Sequence, residues 1–599
     1  MMVVFNSREA EYKRPFGAVR AGEPLFLRMV LEEQNCRLVR VFFRYEDGVE
    51  VQGELLPTAV PGEYCGELRL EKEGLCFYRF EAVRPDGSPI YIGTTDGIHA
   101  MVGEWLPEWR QTVYSADFDT PADLAGGIWY QIFPDRFCKG ALPYQRPAKG
   151  TRIYHGNWAE RPYFVQDRPD FKGNDFFGGN LPGIMEKLPY LKELGIDLIY
   201  LNPIFESGEN HRYSTADYEQ IDPLLGDDAD FEALCQAAKE QGIRIVLDGV
   251  FSHTGANSRY FNREGLYDSL GAYQSIHSPY YHWYDFKEYP HKYESWWGFD
   301  SLPCVNELAP DFMRYINGEQ GIARRWMEKG AYGWRLDVAD ELPDGFLEAF
   351  RKRVKETNPE SIIIGEVWEN AVEKVSYGAR RKFLLGHQCD TVMNYPWLEA
   401  IVSLLKSGNT SAFAAAVLDL MECYPQPALR CLMNILSTHD TARILNRLGA
   451  DFIPPRAMQA DNYLSPDQRE RGVALLKKAA MLQFTLPGIP CIFYGDEIAM
   501  EGYGDPYCRG TYPWGGGDRE LLEYYKQLGA IRKEYRAAFA GDCTVCGSGG
   551  RLIIERGGYI RLAMNFRSKP MPVEGTLLLG EGYADGFLQP GGYAWLKIE

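Results

Sequence analysis

The chain has 599 residues, too many for one hydrophobic core, and its 45% hydrophobic and 25% charged content is ordinary for a soluble globular protein of several domains. Its 64 basic against 83 acidic residues leave a net charge of −19, which disfavours nucleic acid and anionic membrane and points to neutral partners. No apolar stretch reaches the ~18 residues of a membrane span, and in MMVVFNSREAEYKRPF charges stand where the apolar core of a signal peptide would lie.

Residues 1–120 read as β structure. Short alternating runs such as 38–45 and 77–83 are separated by turn signals at Asp47-Gly48 and Pro61-Gly62, the pattern of an N-terminal β-sandwich. Residues 105–125, with Trp105, Pro107 and Pro121, read as a linker. From Gly127 short apolar runs alternate with helical stretches. Strands are expected at 128–133, 198–202, 243–250, 333–338, 362–367, 391–395, 432–438 and 491–494, with helices such as 183–194, 230–241 and 344–355 between them. Eight strands alternating with helices make an α/β fold, a (β/α)8 TIM barrel over 121–540. A doubly wound sheet would carry a Gly-rich phosphate loop after its first strand, where Tyr130-Gln131-Ile132-Phe133-Pro134 stands instead. The connection after strand 3 is too long for a simple loop and reads as an inserted loop domain over about 253–310, rich in aromatics at 280–284 and at Trp296-Trp297. Residues 541–599 read as a C-terminal antiparallel β-domain. The 13 cysteines are scattered, and the single C-x-x-C of Cys543 and Cys546 has no second pair, so the expected location is a reducing compartment, the cytoplasm.

Carboxyl groups stand where these strands end. Asp337 closes the run 332–336 and Glu366 closes 362–365. Cleaving a sugar–sugar bond needs two carboxyl groups flanking one bond, one beneath the anomeric carbon and one giving a proton to the leaving oxygen. Arg335 lies two residues before Asp337, on the same face of the strand, and its guanidinium is expected to keep Asp337 ionised. Glu366 follows an apolar strand, where partial burial suits a proton donor. Asp440, beside His439 after the seventh strand, is expected to hydrogen-bond sugar hydroxyls near the developing charge. His253 is expected on the same sugar ring, and Asp248 as a support for Arg335. Any one of these acids alone reads equally well as a helix cap or a structural ion pair. Four such segments in order favour the chemistry, and 13 Trp and 38 Tyr suit a cleft that stacks sugar rings.

The segments NHRYSTADY (210–218), DGVFSH (248–253), GWRLDVADE (333–341), IIIGEVWE (362–369) and LSTHD (436–440) resemble, in order, the short conserved regions of the alpha-amylase family, glycoside hydrolase family 13, over about 127–540. The resemblance implies a retaining double displacement with Asp337 as nucleophile, Glu366 as acid/base and Asp440 as transition-state stabiliser. It implies that Arg335, His253 and His439 contact the sugar at the cleavage point and that Tyr213 stacks beneath it. Asp505 and Arg509 would hold the next sugar outward, and Glu341 would face the acceptor sugars. YQIFPDRF (130–137), IYLNPIF (199–205), LPCVNE (302–307) and VMNYP (392–396) are similar to the cyclomaltodextrinase, neopullulanase and maltogenic amylase group. That group implies cleavage of α-1,4, and also α-1,6, bonds in maltooligosaccharides, cyclodextrins or pullulan and starch fragments. A transglycosylase with the same intermediate, and an α-glucosidase acting on short substrates, are the alternatives. A non-enzymatic scaffold would be expected to have lost carboxylates, and Asp337, Glu366 and Asp440 all stand. No cofactor is expected to be required. The group often binds calcium, and of the ligand positions this chain matches only Gly178 and Asn180, with CKGALPYQRP (138–147) and Ser252 departing from the pattern. The group's N-terminal module often completes a partner's active site, which implies a homodimer.

Overall fold

The computed structural model describes residues 2–32, 36–142, 147–165, 167 and 172–598. Two compact units divide the chain. One gathers Met1–Thr120, Glu369–Asp390 and Val417–Leu429; the other gathers Pro121–Trp368, Thr391–Ala416 and Arg430–Glu599.

In the first unit, Pro24–Leu31 and Leu38–Tyr45 alternate between buried and more open residues, so each strand turns one face inward. Glu50–Pro57 pairs with Leu38–Tyr45 and, through Leu56 and Pro57, also with Glu63–Arg69, which carries the hydrogen-bonded path around the core. That core holds Leu25, Leu27, Met29, Val41, Phe43, Phe80 and Trp109. This is the expected N-terminal β-sandwich. The later segments are tied in by charge: Arg110 pairs with Glu373 and Asp419, and Glu422 accepts from Ser7 and Arg8.

The second unit contains the closed eight-stranded parallel barrel. Its strands are β1 (Trp129–Ile132), β2 (Leu198–Leu201), β3 (Arg244–Gly249), β4 (Gly333–Leu336), β5 (Ile362–Gly365), β6 (Thr391–Asn394), β7 (Met433–Ile435) and β8 (Ile489–Phe493). All but Arg244 in these strands are buried, because helices cover the outside and side chains fill the inside. The helix Asp228–Glu240 illustrates the covering layer. Asp227 and Asp230 close a capping box at its start, and Phe231, Leu234, Cys235 and Ala238 form its buried stripe.

The inserted segment after β3 is built mainly from aromatic contacts and two short strands, Phe286–Glu288 and Lys292–Tyr293. Phe261 packs against Tyr284, Phe286 and Tyr293 with ring centroids 4.9, 5.8 and 4.7 Å away. A bridge between His253 and Cys304 ties both ends of the insertion to the mouth of β3. The C-terminal sheet has six strands, and the Trp595 indole donates to Thr485 Oγ1 at 2.6 Å. Among the described residues no helix is long and apolar enough to cross a membrane.

Gly333 opens β4 beside Ile362 of β5, and a Cβ there would lie 2.1 Å from the Ile362 carbonyl oxygen, a backbone atom. Gly333→Ala is therefore expected to lower stability by about 1–3 kcal/mol through overpacking, read as an earlier unfolding midpoint in urea.

Candidate active site

The parallel strands bring their C-terminal ends to one rim. Asp248 lies near the end of β3, Asp337 one residue past β4 and Glu366 one residue past β5. In register, Asp248 stands opposite Arg335, and Arg335 opposite Ile364. Arg335 is fully buried and shared: Nη1 donates to Asp248 Oδ1 at 2.7 Å and to Asp337 Oδ1 at 2.8 Å. Its Nη2 lies 2.7 Å from Glu366 Oε2 as an ion pair, without the alignment of a hydrogen bond. One guanidinium thus touches all three carboxylates, so Asp337 and Glu366 face a single site.

Glu366 has two further donors. The backbone N–H of Val338 reaches Oε2 at 2.9 Å, and the Trp368 indole reaches Oε1 at 3.2 Å. Val338 holds a φ of +37°, a left-handed conformation that a β-branched residue adopts only at a cost in strain. Trp368 is steadied by stacking on Tyr395, with centroids 3.9 Å apart.

A second network approaches from β1, β2 and β7. Gln131 donates its amide N–H groups to Asn202 Oδ1 and to His439 Nδ1, both at 3.0 Å. With Nδ1 accepting, the His439 proton sits on Nε2, 2.6 Å from the Tyr213 hydroxyl, and that hydroxyl donates to Asp248 Oδ2 at 2.8 Å. The Tyr213 and His439 rings are parallel, 5.2 Å apart. Arg509 donates to the His439 carbonyl at 2.8 Å and to Asp440 at 3.3 Å, and pairs with Asp505 at 2.9 Å. Tyr213, Arg335, Asp337, Glu366, His439, Asp440, Asp505 and Arg509 are therefore joined by direct contacts. His253 enters by way of the inserted segment, its ring 5.3 Å from that of Trp296. Glu341 accepts the indole N–H groups of Trp296 and Trp297 at 2.8 and 2.9 Å.

The charge balance differs from expectation at one residue. Arg335 pulls Asp337 toward the ionised form as anticipated, but burial outweighs it and, with Glu366 and Asp248 adding like charge, pushes Asp337 well above the usual carboxylate range. Burial raises Asp248 as well. Asp337 and Asp248 thus hold a proton more readily than free carboxyl groups do. Burial, then the Glu366 charge, push Asp440 up to about 7, a rise moderated by the 32% of its side chain left open to the cleft. Burial keeps the histidines neutral, pushing His253 down to about 4 and His439 well below the usual imidazole range.

Gly178 and Asn180 do not fit a calcium ion. Asn180 caps the helix Leu181–Glu186, its Oδ1 accepting from Gly183 N at 2.8 Å and Gly140 N at 2.9 Å, while its Nδ2 donates to the Gly140 carbonyl. The Lys139 ammonium lies 3.8 Å from where a Gly178 Cβ would be, placing a positive charge beside the position. Residues 143–146 of CKGALPYQRP lie outside the described residues. Among the described residues no group of three His, Cys, Asp or Glu could hold a metal ion.

Gln131, Asn202, Val338 and Trp368 were not singled out by sequence reasoning. Gln131 carried a signal, since it is the one amide in the otherwise apolar or aromatic strand β1. Val338 carried none, because backbone strain is not written in residue type.

The alpha-amylase catalytic-domain family matches residues 131–535, and the chain belongs to that family. An amylopullulanase of Thermoanaerobacter thermohydrosulfuricus is 35% identical over 90% of this chain and 39% of its own length. Neopullulanase 2 of Thermoactinomyces vulgaris is 31% identical over 89% of this chain and 84% of its own. The ligand-free cyclic α-maltosyl-(1→6)-maltose hydrolase of Arthrobacter globiformis matches in structure with a TM-score of 0.66, at 30% identity, over 80% of this chain and 99% of that one. This chain spans less than half the length of the amylopullulanases it matches.

Removing the shared cation gives a signed expectation. In Arg335→Met the buried carboxylates at 248 and 337 lose their partner, costing about 3–5 kcal/mol at neutral pH. Their pKa values are already raised in the folded state, so protonation on acidification relieves the penalty. The gap in unfolding midpoint from the native chain is expected to be widest above these raised values and to narrow as the pH falls through them towards the ordinary carboxylate range. A gap independent of pH would contradict the shared-cation reading.

Proposed function

We propose that the chain is a retaining α-glucan hydrolase in which Asp337 is the nucleophile and Glu366 the acid/base. The observation that carries this reading is the contact of one buried guanidinium, Arg335, with both carboxylates. It supports two carboxyl groups close enough to act on one bond, the arrangement of a covalent-intermediate route.

In the first step the Asp337 carboxylate bonds to the anomeric carbon as the bond from that carbon to the leaving oxygen breaks, and Glu366 gives its proton to that oxygen. In the second step Glu366 takes a proton from water, whose oxygen displaces Asp337 and restores the original anomeric configuration. The chemistry needs Asp337 ionised and Glu366 protonated when the sugar is bound. Asp440 would exchange hydrogen bonds with the sugar hydroxyls near the developing positive charge, and the Nε2–H of neutral His439 would donate to one of them. Among the described residues the buried Nε2 of His253 has no hydrogen-bond partner, and it would serve a sugar hydroxyl of the same ring. Tyr213 would supply the flat face beneath it, with Arg509 and Asp505 reaching the next ring outward.

The names of the relatives support linear and cyclic α-glucans as substrates, with α-1,6 as well as α-1,4 bonds among those cleaved. The 13 scattered cysteines support a reducing compartment, the cytoplasm. No resident metal is proposed at Gly178 and Asn180, since the Asn180 oxygen is spent on capping a helix and the Lys139 ammonium stands beside Gly178.

Three measurements test the reading. Asp337→Asn is expected to lower kcat on maltotetraose and β-cyclodextrin by more than about a thousandfold, and the first product released by the native chain, followed by NMR before mutarotation, is expected to be the α-anomer. Retained activity in Asp337→Asn, or a β-anomer, would overturn the assignment. Glu366→Gln is expected to cost about 10²–10⁴ in kcat on natural sugars and much less on aryl glycosides, whose leaving oxygen needs little protonation. Incubation with EDTA is expected to leave the melting temperature unchanged, and a fall of several degrees would reveal a structural ion.

A further inference from the structure

We propose that Trp297 is a sugar-stacking platform at the mouth of this site and that Glu341 is the positioning residue that fixes it. The inference rests on the α-glucan reading above.

Trp297 is unlike the tryptophans of the cores. Trp129, Trp326, Trp334 and Trp397 are buried, whereas Trp297 leaves 79% of its surface open. It also holds a left-handed backbone, φ 49° and ψ 25°, which a bulky residue adopts at a cost. No burial of the ring offsets that strain. What fixes it is Glu341: Oε1 accepts the Trp297 indole N–H and Oε2 that of Trp296, so both carboxylate oxygens are used and the two indoles are held as a pair. The edge of the Trp297 ring is pinned while its face stays free. A rigid, exposed aromatic face with its polar edge already satisfied suits the apolar C–H face of a pyranose ring.

The pair is joined to the site from both sides. Trp296 packs against the His253 ring, and Glu341 lies four residues beyond Asp337 in the loop after β4. The ligand the platform fits is a glucose unit of a linear or cyclic α-glucan.

The test uses Asp337→Asn, so that bound sugar is not consumed, and measures maltotetraose and β-cyclodextrin binding by calorimetry. Adding Trp297→Ala is expected to weaken binding about tenfold, as loss of an anchoring aromatic does, and Trp297→Tyr, which keeps a stacking face, to recover much of it. Glu341→Ala is expected to weaken binding to a similar extent, and the Trp297→Ala/Glu341→Ala pair to be no weaker than either alone, because Glu341 acts through the ring. Affinities within twofold of the Asp337→Asn parent for both Trp297 variants would overturn the platform. Additive losses would overturn the positioning role and make Glu341 a direct sugar contact. If the Asp337→Asn parent binds neither sugar, the α-glucan reading fails and takes this inference with it.

Discussion

The site depends on one cation serving three acids. Arg335 is enclosed by the ends of β3, β4 and β5, and its partners come one from each. Moving a guanidinium and three carboxylates out of water is costly, and a buried ion cluster is a poor source of net stability. Its value here is geometric. Planar and forked, a guanidinium dictates where its partners' oxygens lie, and a point charge such as an ammonium would not. The excess of acid over base is also informative: with one cation among three buried carboxyl groups, burial pushes Asp337 and Asp248 above the usual carboxylate range.

Around that cluster, backbone and side chains work on orientation. The chain from Gln131 through His439 and Tyr213 to Asp248 connects the outer ring contacts to the same acid that holds Arg335. Each member has its direction set by the one before: the amide donates to Nδ1, which leaves the imidazole proton on Nε2, which faces a hydroxyl already committed to a carboxylate. Val338 does the equivalent for Glu366 with a main-chain N–H, at the expense of a strained φ. Such strain persists only where the surrounding structure enforces it, and here β4 and the loop after it do so.

Much of this was legible in the residues. Eight apolar runs were recognisable because strands covered on both faces carry no alternation, and the acids at their ends stood out against those runs. The wide third connection announced itself by length and by its aromatics. What stayed hidden was whatever depends on depth or on distant partners. The position of Arg335 beside Asp337 could be read, but not that burial would outweigh its pull. The neighbouring indoles at 296 and 297 were visible as aromatics, whereas their common acceptor, Glu341, comes from a different loop. A match to the calcium positions at Gly178 and Asn180 could be seen in letters, but not that the Asn180 oxygen is spent on capping a helix.

The composition of the first compact unit bears on how the protein must be made. Its opening stretch, Met1–Thr120, is joined by Glu369–Asp390 and Val417–Leu429, with Arg110 awaiting Glu373 and Asp419. During synthesis the early β-strands emerge long before these salt-bridge partners, so the unit cannot reach its final form until the ribosome has passed Leu429, by which time six strands of the barrel have left the tunnel or are leaving it. Assembly of the two units is thereby interleaved in time, and a gene fragment ending at Thr120 encodes an unfinished object.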